Sequence, residues 1–169
     1  MLLPDTRQSP PWSLRSLQPG DIGWVIRMHG LYYAGEGWDQ TFEAFVAQIA
    51  ADFILHFDPL RERCWMAEMN GQLVGAVFLV RVSGREKVAK LRMLIVDPKA
   101  RGLGIGKRLV RECTRFAREA GYHRITLWTN HILLPARKLY ADEGYRLVHS
   151  EAVHRFGRDL VDETWELNL

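Results

Sequence analysis

The residues that point most directly to chemistry lie in one glycine-rich stretch, Val96 to Lys107, with the sequence VDPKARGLGIGK. It follows a segment patterned as a strand and opens a segment patterned as a helix. Glycines at such a turn allow a positive φ and a close approach of the backbone to a ligand. The free N–H groups of the first helical turn, aided by the helix dipole, favour an anion such as a diphosphate. The stretch is therefore a candidate phosphate-binding turn.

Three phosphate-binding patterns compete for this turn. The dinucleotide pattern GxGxxG fails because Lys107 stands where the third glycine should be. A P-loop would need glycine in place of Arg101 and a serine or threonine in place of Arg108. The pattern RxxGxG fits, through Arg101, Gly104 and Gly106. Glycine-rich turns are common, so a strand-to-helix turn with a purely structural role remains an alternative interpretation of this stretch.

The elements around the turn must place it at the end of a strand. Asn70-Gly71 is a strong hairpin signal between two strand-like runs, and Val88–Val96 follows as the next strand. Beyond the turn, helical and strand-like segments alternate up to the last residues. We therefore expect an α+β (mixed α/β) protein, in which a mixed, mostly antiparallel sheet of about six to seven strands is flanked by about four helices.

Length and composition set the broad class. The chain has 169 residues, 47% hydrophobic and 25% charged, with a net charge of +3. We expect a flexible leader over 1–11 and a single domain over 12–169. The basic residues are spread out and no apolar stretch is long enough for a membrane span, so we expect neither a nucleic-acid nor a membrane partner. The 2 cysteines and 6 histidines show no metal-ligand spacing, and the N-terminus shows no secretory signal; we expect no metal and a cytoplasmic location.

The order of motifs adds a family resemblance. The glycine turn, a strand over Ile125–Thr129 and the segment AxxLYxxxGY over 136–145 follow one another. This order resembles the GNAT superfamily of acetyl-CoA-dependent N-acetyltransferases, over Leu14 to Leu169. More narrowly, four segments look like the acetyltransferase half of fusion proteins that also carry a MarR-type winged-helix domain: Gly20–Ile26, Gly37–Asp39, Ala89–Arg92 and Leu127–Asn130. No winged-helix domain is present in this sequence, so DNA binding is not implied.

The resemblance implies an activity and a fold detail. It implies acetyl transfer from acetyl-CoA, the co-substrate, to a primary amine by direct attack in a ternary complex. The acceptor would be a small-molecule amine or an amine of a peptide or protein, and homodimers are common in the family. The sheet would splay apart at the cofactor, between the Val88–Val96 strand and Ile125–Thr129. The alternative is a regulatory or partner module that binds CoA without turnover.

The resemblance also assigns cofactor-binding residues. The end of the strand would run along the pantetheine arm, and the backbone of the turn would hold the diphosphate. Many relatives carry an asparagine where this chain has Leu133, and Asn130 is the expected replacement. The full set comprises Leu94, Ile95, Val96, Arg101, Gly102, Leu103, Gly104, Ile105, Gly106, Lys107, Asn130 and Tyr140.

Two residues are expected to move protons. Tyr140 occupies the place of the tyrosine that often donates a proton to the departing thiolate, although a packed aromatic is an equal alternative from its helical position. Glu36 lies in the segment YYAGEGW, where the family builds its acceptor pocket. With Tyr32 and Trp38 as neighbours it can bind an ammonium or take its proton through water, which favours a cationic or amphipathic acceptor. A solvated loop glutamate and two packing aromatics are the alternatives.

Overall fold

A computed structural model of the chain describes residues 10–169, so most of the predicted leader lies outside the described residues. The elements alternate in the order that the sequence indicates. Their bounds are β1 Trp12–Arg15, α1 Asp21–Gly35, α2 Gln40–Leu55, β2 Arg63–Met69, β3 Gln72–Arg81, β4 Val88–Val96, a 3₁₀ turn Pro98–Ala100, α3 Ile105–Glu119, β5 Arg124–Asn130, α4 Leu134–Asp142, β6 Arg146–Arg155 and β7 Arg158–Asn168.

The strands form one seven-stranded sheet in the order β1-β2-β3-β4-β5-β7-β6. Every neighbouring pair is antiparallel except β4 and β5, which are parallel. The parallel pairing runs only from Val88↔Arg124 to Leu91↔Leu127, although both strands continue beyond it. The two strands therefore diverge at their carboxyl ends. The predicted α+β class and the predicted splay of the sheet are confirmed.

A bulge in β4 accompanies this divergence. Ala76 of β3 pairs with Ile95 and Phe78 pairs with Arg92, so that β4 carries one residue more than β3 over this interval. Met93 lies inside the bulge and has a φ of 52°, which is uncommon for a residue other than glycine. A bulge bends its strand and increases the local twist. It thereby turns the end of β4 away from β5.

Helices cover both faces of the sheet. On one face α3 packs its apolar stripe, with Leu109, Val110 and Cys113, against Leu91 of β4 and its neighbours. On the other face α1 and α2 contribute Val25 and Phe53 to a second cluster. Central strand β3 is buried on both faces, as its nearly unbroken apolar run predicts.

The start of α1 differs from the expectation. The pattern predicts Asp21 as the N-cap, but the structure places Gly20 there with a φ of 97°. The Asp21 carboxylate instead forms an ion pair with Arg15 at 2.7 Å and accepts a hydrogen bond from the Gln18 backbone N–H at 2.7 Å. This contact fixes the first turn of α1 to strand β1.

Candidate active site

The glycine-rich turn connects the end of β4 to α3. Its base is fixed because the Asp97 carboxylate accepts the Lys99 N–H at 2.9 Å and the Asp97 N–H donates to the Val74 carbonyl at 2.8 Å. Gly102 and Gly104 both have positive φ, at 80° and 79°, where any other residue would be strained. Gly104 is also the N-cap of α3 and offers no side-chain cap, so the first N–H groups of the helix are available to a ligand.

A cavity of about 390 Å³ lies against this turn, and we call it the turn cavity. The Arg101 guanidinium stands over the Tyr32 ring, 4.9 Å from its centroid, at the edge of this space. Backbone amides, a guanidinium and an ammonium are the donors that a diphosphate requires. The structure gathers most of the predicted cofactor residues here: Leu94, Ile95, Val96, Arg101, Gly102, Gly104, Ile105, Gly106 and Lys107.

Three predicted cofactor residues do not line this cavity: Leu103, Asn130 and Tyr140. Leu103 is on the turn, but its side chain is exposed and its carbonyl accepts a hydrogen bond from the Trp12 indole at 3.0 Å. Asn130 is fully buried; its amide donates to Asp162 at 3.3 Å and its carbonyl oxygen accepts the Ile132 N–H at 3.3 Å. Asn130 therefore shapes the chain between β5 and α4, and the geometry does not support its predicted cofactor contact.

A second cavity, of about 340 Å³, opens where β4 and β5 diverge, and we call it the cleft cavity. Helices α1 and α2 and the β6–β7 hairpin enclose it. The two cavities share four lining residues at their junction: Tyr33, Leu94, Leu133 and Ala136. A ligand that extends from the turn cavity along the end of β4 would therefore reach the cleft cavity.

Tyr140 lines the cleft cavity from α4. Its side chain is only 5% exposed, and burial raises the pKa of its phenol well above the usual range. The hydroxyl is therefore protonated at neutral pH, which is the state of a proton donor. Leu133, which replaces the family's asparagine, is the N-cap of α4 and lies at the junction of the two cavities.

The predicted acceptor group is not assembled. Glu36 is the C-cap of α1, lines neither cavity, and uses its backbone carbonyl to accept a hydrogen bond from Arg158. Trp38 is buried, with Phe42 4.6 Å and Phe156 5.0 Å away between ring centroids, so it is a packing residue. Tyr32 lines the turn cavity instead of the cleft cavity. From this segment it is Tyr33 that faces the cleft cavity.

The structure adds His29, which sequence reasoning did not select. It lines the cleft cavity and is 3% exposed, with Nδ1 2.8 Å from the Val25 carbonyl. Because a carbonyl only accepts, this contact assigns the ring proton to Nδ1 and leaves a lone pair on Nε2. Burial lowers the pKa of His29 to about 4, so the ring is neutral at pH 7. A single histidine on an apolar helix face gives no sequence signal for such a position.

This pKa predicts an acid-sensitive stability. In the unfolded chain His29 is protonated below about pH 6.5. In the folded chain it is protonated only below about pH 4. The free energy of unfolding therefore falls as the pH drops from 6.5 towards 4, by about 2 kcal/mol between pH 7.5 and pH 5. In His29→Phe, urea unfolding at these two pH values should show a loss smaller by about that amount. The exposed His123→Phe is the control, and equal losses in all three proteins would contradict a buried neutral ring.

Within residues 10–169, no group of three or more His, Cys, Asp or Glu side chains is arranged to hold a metal ion. Over the same residues, no helix combines the length and the apolar character that crossing a bilayer requires.

Comparison with known proteins identifies the family. The model of the acetyltransferase (GNAT) family matches residues 28–145. Human N-acetyltransferase 8B is 40% identical over 101 residues, 58% of this chain and 44% of that protein. Rat N-acetyltransferase 8 is 40% identical over 122 residues, 68% of this chain and 54% of that protein. The chain spans about half the length of the curated relatives it matches.

Solved structures share the fold at low sequence identity. A ribosomal-protein-alanine N-acetyltransferase from Brucella melitensis superposes with a TM-score of 0.73 at 21% identity, covering 93% of this chain and 99% of that chain. The Salmonella typhimurium protein yncA, solved with its cofactor acetyl-CoA, gives 0.74 at 16% identity and covers 93% of each chain. The family model spans well over half of the sequence, and this chain belongs to the GNAT acetyltransferase family.

Proposed function

We propose that the protein is an acetyl-CoA-dependent N-acetyltransferase that acetylates a primary amine. One observation carries the proposal: the turn cavity and the cleft cavity meet at the end of β4, and Tyr140 of α4 presents a protonated phenol to the cleft cavity. Two ligands can therefore be held together, one in each cavity, as direct transfer in a ternary complex requires.

The turn cavity suits coenzyme A by its donors and its shape. The positive φ of Gly102 and Gly104 keeps side chains away from the first amides of α3, and Arg101 and Lys107 supply positive charge. Leu94 to Val96 have no β5 partner, so their backbone groups on that side are free to pair with the pantetheine amides. Acetyl-CoA, when bound, supplies an activated acetyl thioester.

The protein's part in the transfer is to position the amine and to supply a proton. The cleft cavity holds the acceptor against side chains that include the buried Phe42, Val46 and Tyr140. The amine nitrogen bonds to the acetyl carbon as the C–S bond breaks, and the Tyr140 hydroxyl gives its proton to the departing sulfur. The proton that the amine nitrogen loses then restores the Tyr140 hydroxyl. Both cysteines, Cys64 and Cys113, are buried, burial raises the pKa of each thiol, and neither lines the cleft. This supports direct attack by the amine rather than a thioester on the enzyme.

Thiol release in the presence of a panel of amines tests the proposal. The purified protein, given acetyl-CoA and each amine in turn, should release free thiol in proportion to acetylated product. Binding of CoA by calorimetry, run in parallel, distinguishes the alternative: a regulatory or partner module would bind CoA and release no thiol with any amine. Failure to bind CoA would overturn both readings.

The size of the cleft cavity bears on the kind of acceptor. A cleft cavity of about 340 Å³ is within the usual range for a small-molecule site, which favours a small amine over a protein acceptor. A homodimer, a cytoplasmic location and the closeness to MarR fusion proteins stay predictions. The last of these rests on four short segments, Gly20–Ile26, Gly37–Asp39, Ala89–Arg92 and Leu127–Asn130.

A further inference from the structure

The cleft cavity has an uneven charge. Its lining includes three cationic side chains, Lys90, Arg92 and Arg155, against a single carboxylate, that of Asp162. His29 adds no charge, because burial holds its pKa at about 4. Lys90 and Arg92 are two residues apart on β4, so both side chains lie on the same face of the sheet.

Arg155 and Asp162 largely neutralise each other's charge. They form an ion pair across the β6–β7 hairpin, and the Arg155 guanidinium stands over the Trp128 ring, 4.4 Å from its centroid. Asp162 also accepts a hydrogen bond from the Asn130 amide at 3.3 Å. The carboxylate in the cleft is thus engaged. Lys90 and Arg92 also border a neighbouring groove lined by Asp52, Glu62 and Glu86.

Lys90 and Arg92 have no such partner. Within residues 10–169, no carboxylate oxygen lies within 4 Å of the charged nitrogens of either side chain. Asp52 of α2 acts on Arg92 only over a longer distance, and its carboxylate accepts a hydrogen bond from Gln48 at 3.0 Å. Both side chains are about half-buried, and burial lowers the pKa of each; the charge of Arg92 lowers that of Lys90 further.

Two adjacent, partly desolvated cations are unfavourable unless an anion joins them. Resting on the N-acetyltransferase function proposed above, we propose that the acceptor is an amine that also carries a carboxylate, and that Lys90 and Arg92 bind this carboxylate. Several apolar side chains also line the cleft, which suits an acceptor with a hydrophobic body: Phe42, Phe45, Val46, Ile49 and Trp128.

The placement along β4 agrees with an α-amino acid. Arg92 and Leu94 lie two residues apart on β4 and both line the cleft cavity, and Leu94 also lies at the junction with the turn cavity. A carboxylate held by Arg92 is therefore in the same cavity that opens to the junction, where the thioester would arrive. A cationic acceptor, as the Glu36 segment suggested, would meet repulsion from both side chains.

Matched pairs of amino acids and their amides test this in the whole chain. L-Phenylalanine, L-leucine and L-methionine are each compared with the corresponding amide, which lacks only the negative charge. For any pair that the wild-type protein acetylates, kcat/KM for the amino acid should exceed that for its amide at least about tenfold. The amide holds more of its amine in the reactive neutral form, so this preference reports recognition rather than reactivity.

Variants then assign the preference to residues. Arg92→Gln and Lys90→Gln should each reduce the acid-over-amide preference at least about tenfold, mainly through the KM of the acid. Arg63→Gln removes an arginine from β2 that lines neither cavity, and it should leave the preference unchanged. Amides used as well as acids in every pair, or a preference that survives both variants, would overturn the proposal.

A binding measurement separates this inference from the proposed function. N-acetyl-L-phenylalanine is titrated calorimetrically into CoA-saturated wild type, Arg92→Gln and Lys90→Gln, with N-acetyl-L-phenylalaninamide as the neutral probe. Tighter binding of the acid that both variants abolish supports the anion site even if no amine is acetylated. Turnover of amines without tighter binding of the acid would support the N-acetyltransferase function and refute the anion site.

Discussion

Replacing Gly104 by glutamate should weaken CoA binding at least about a hundredfold, or about 2.7 kcal/mol. The residue has a φ of 79°, and a Cβ there would meet nothing within 4 Å in the free protein. The new side chain therefore enters the space that the ligand needs, and its charge repels a diphosphate at the first turn of α3. Isothermal titration with CoA measures the effect directly.

Gly71→Glu is the matched control for strain and charge. Gly71 also has a positive φ, 75°, and also has nothing within 4 Å of its Cβ position, but it lies in the β2–β3 hairpin. Both variants should lose similar stability, while only Gly104→Glu should lose CoA. Near-normal CoA affinity in a folded Gly104→Glu protein would show that the diphosphate binds elsewhere.

Replacing Tyr140 by phenylalanine should lower kcat about ten- to a hundredfold and leave the Kd for CoA within about threefold. The ring remains in its buried position in α4, so packing is retained and only the proton donor is lost. A thiolate that leaves without a proton is a poorer leaving group, and water must then protonate it. Steady-state kinetics at saturating acetyl-CoA and amine give the comparison.

Tyr145→Phe provides the control for removing a buried hydroxyl. Its ring centroid is 5.8 Å from that of Tyr140, and it is similarly buried, but it does not line the cleft cavity. Turnover in this variant should stay within about twofold of the wild type. Unchanged kcat in Tyr140→Phe, with the same acceptor, would assign the proton to another source.

Most of the fold could be predicted because local patterns determine it. Asn70-Gly71 places the β2–β3 hairpin, and the apolar run of β3 indicates a strand covered on both faces. The glycine turn was predicted with its ligand chemistry because backbone conformation and helix start both depend on a few adjacent residues. The role of Asp21 could not be predicted, because its ion pair with Arg15 is a contact between separate elements.

The cleft was predicted less well than the turn. Glu36 and Trp38 are residue types that could bind an amine. Glu36 instead caps the end of α1, and Trp38 packs on Phe156. No local sequence pattern indicates either position. Lys90 and Arg92 did carry a signal, because two cations alternate with apolar residues in a strand that is otherwise apolar. Their meaning required knowing that β5 leaves β4 beside them, which is a property of the tertiary structure.

The division between the two cavities has an evolutionary consequence. The donor half is built from the end of β4, the turn and the start of α3, whereas α1, α2 and the β6–β7 hairpin supply about half of the walls of the acceptor half. Mutations in the second set can alter which amine is accepted while the thioester-handling parts stay intact. Such separable parts let a lineage diversify its substrates by drift in peripheral segments.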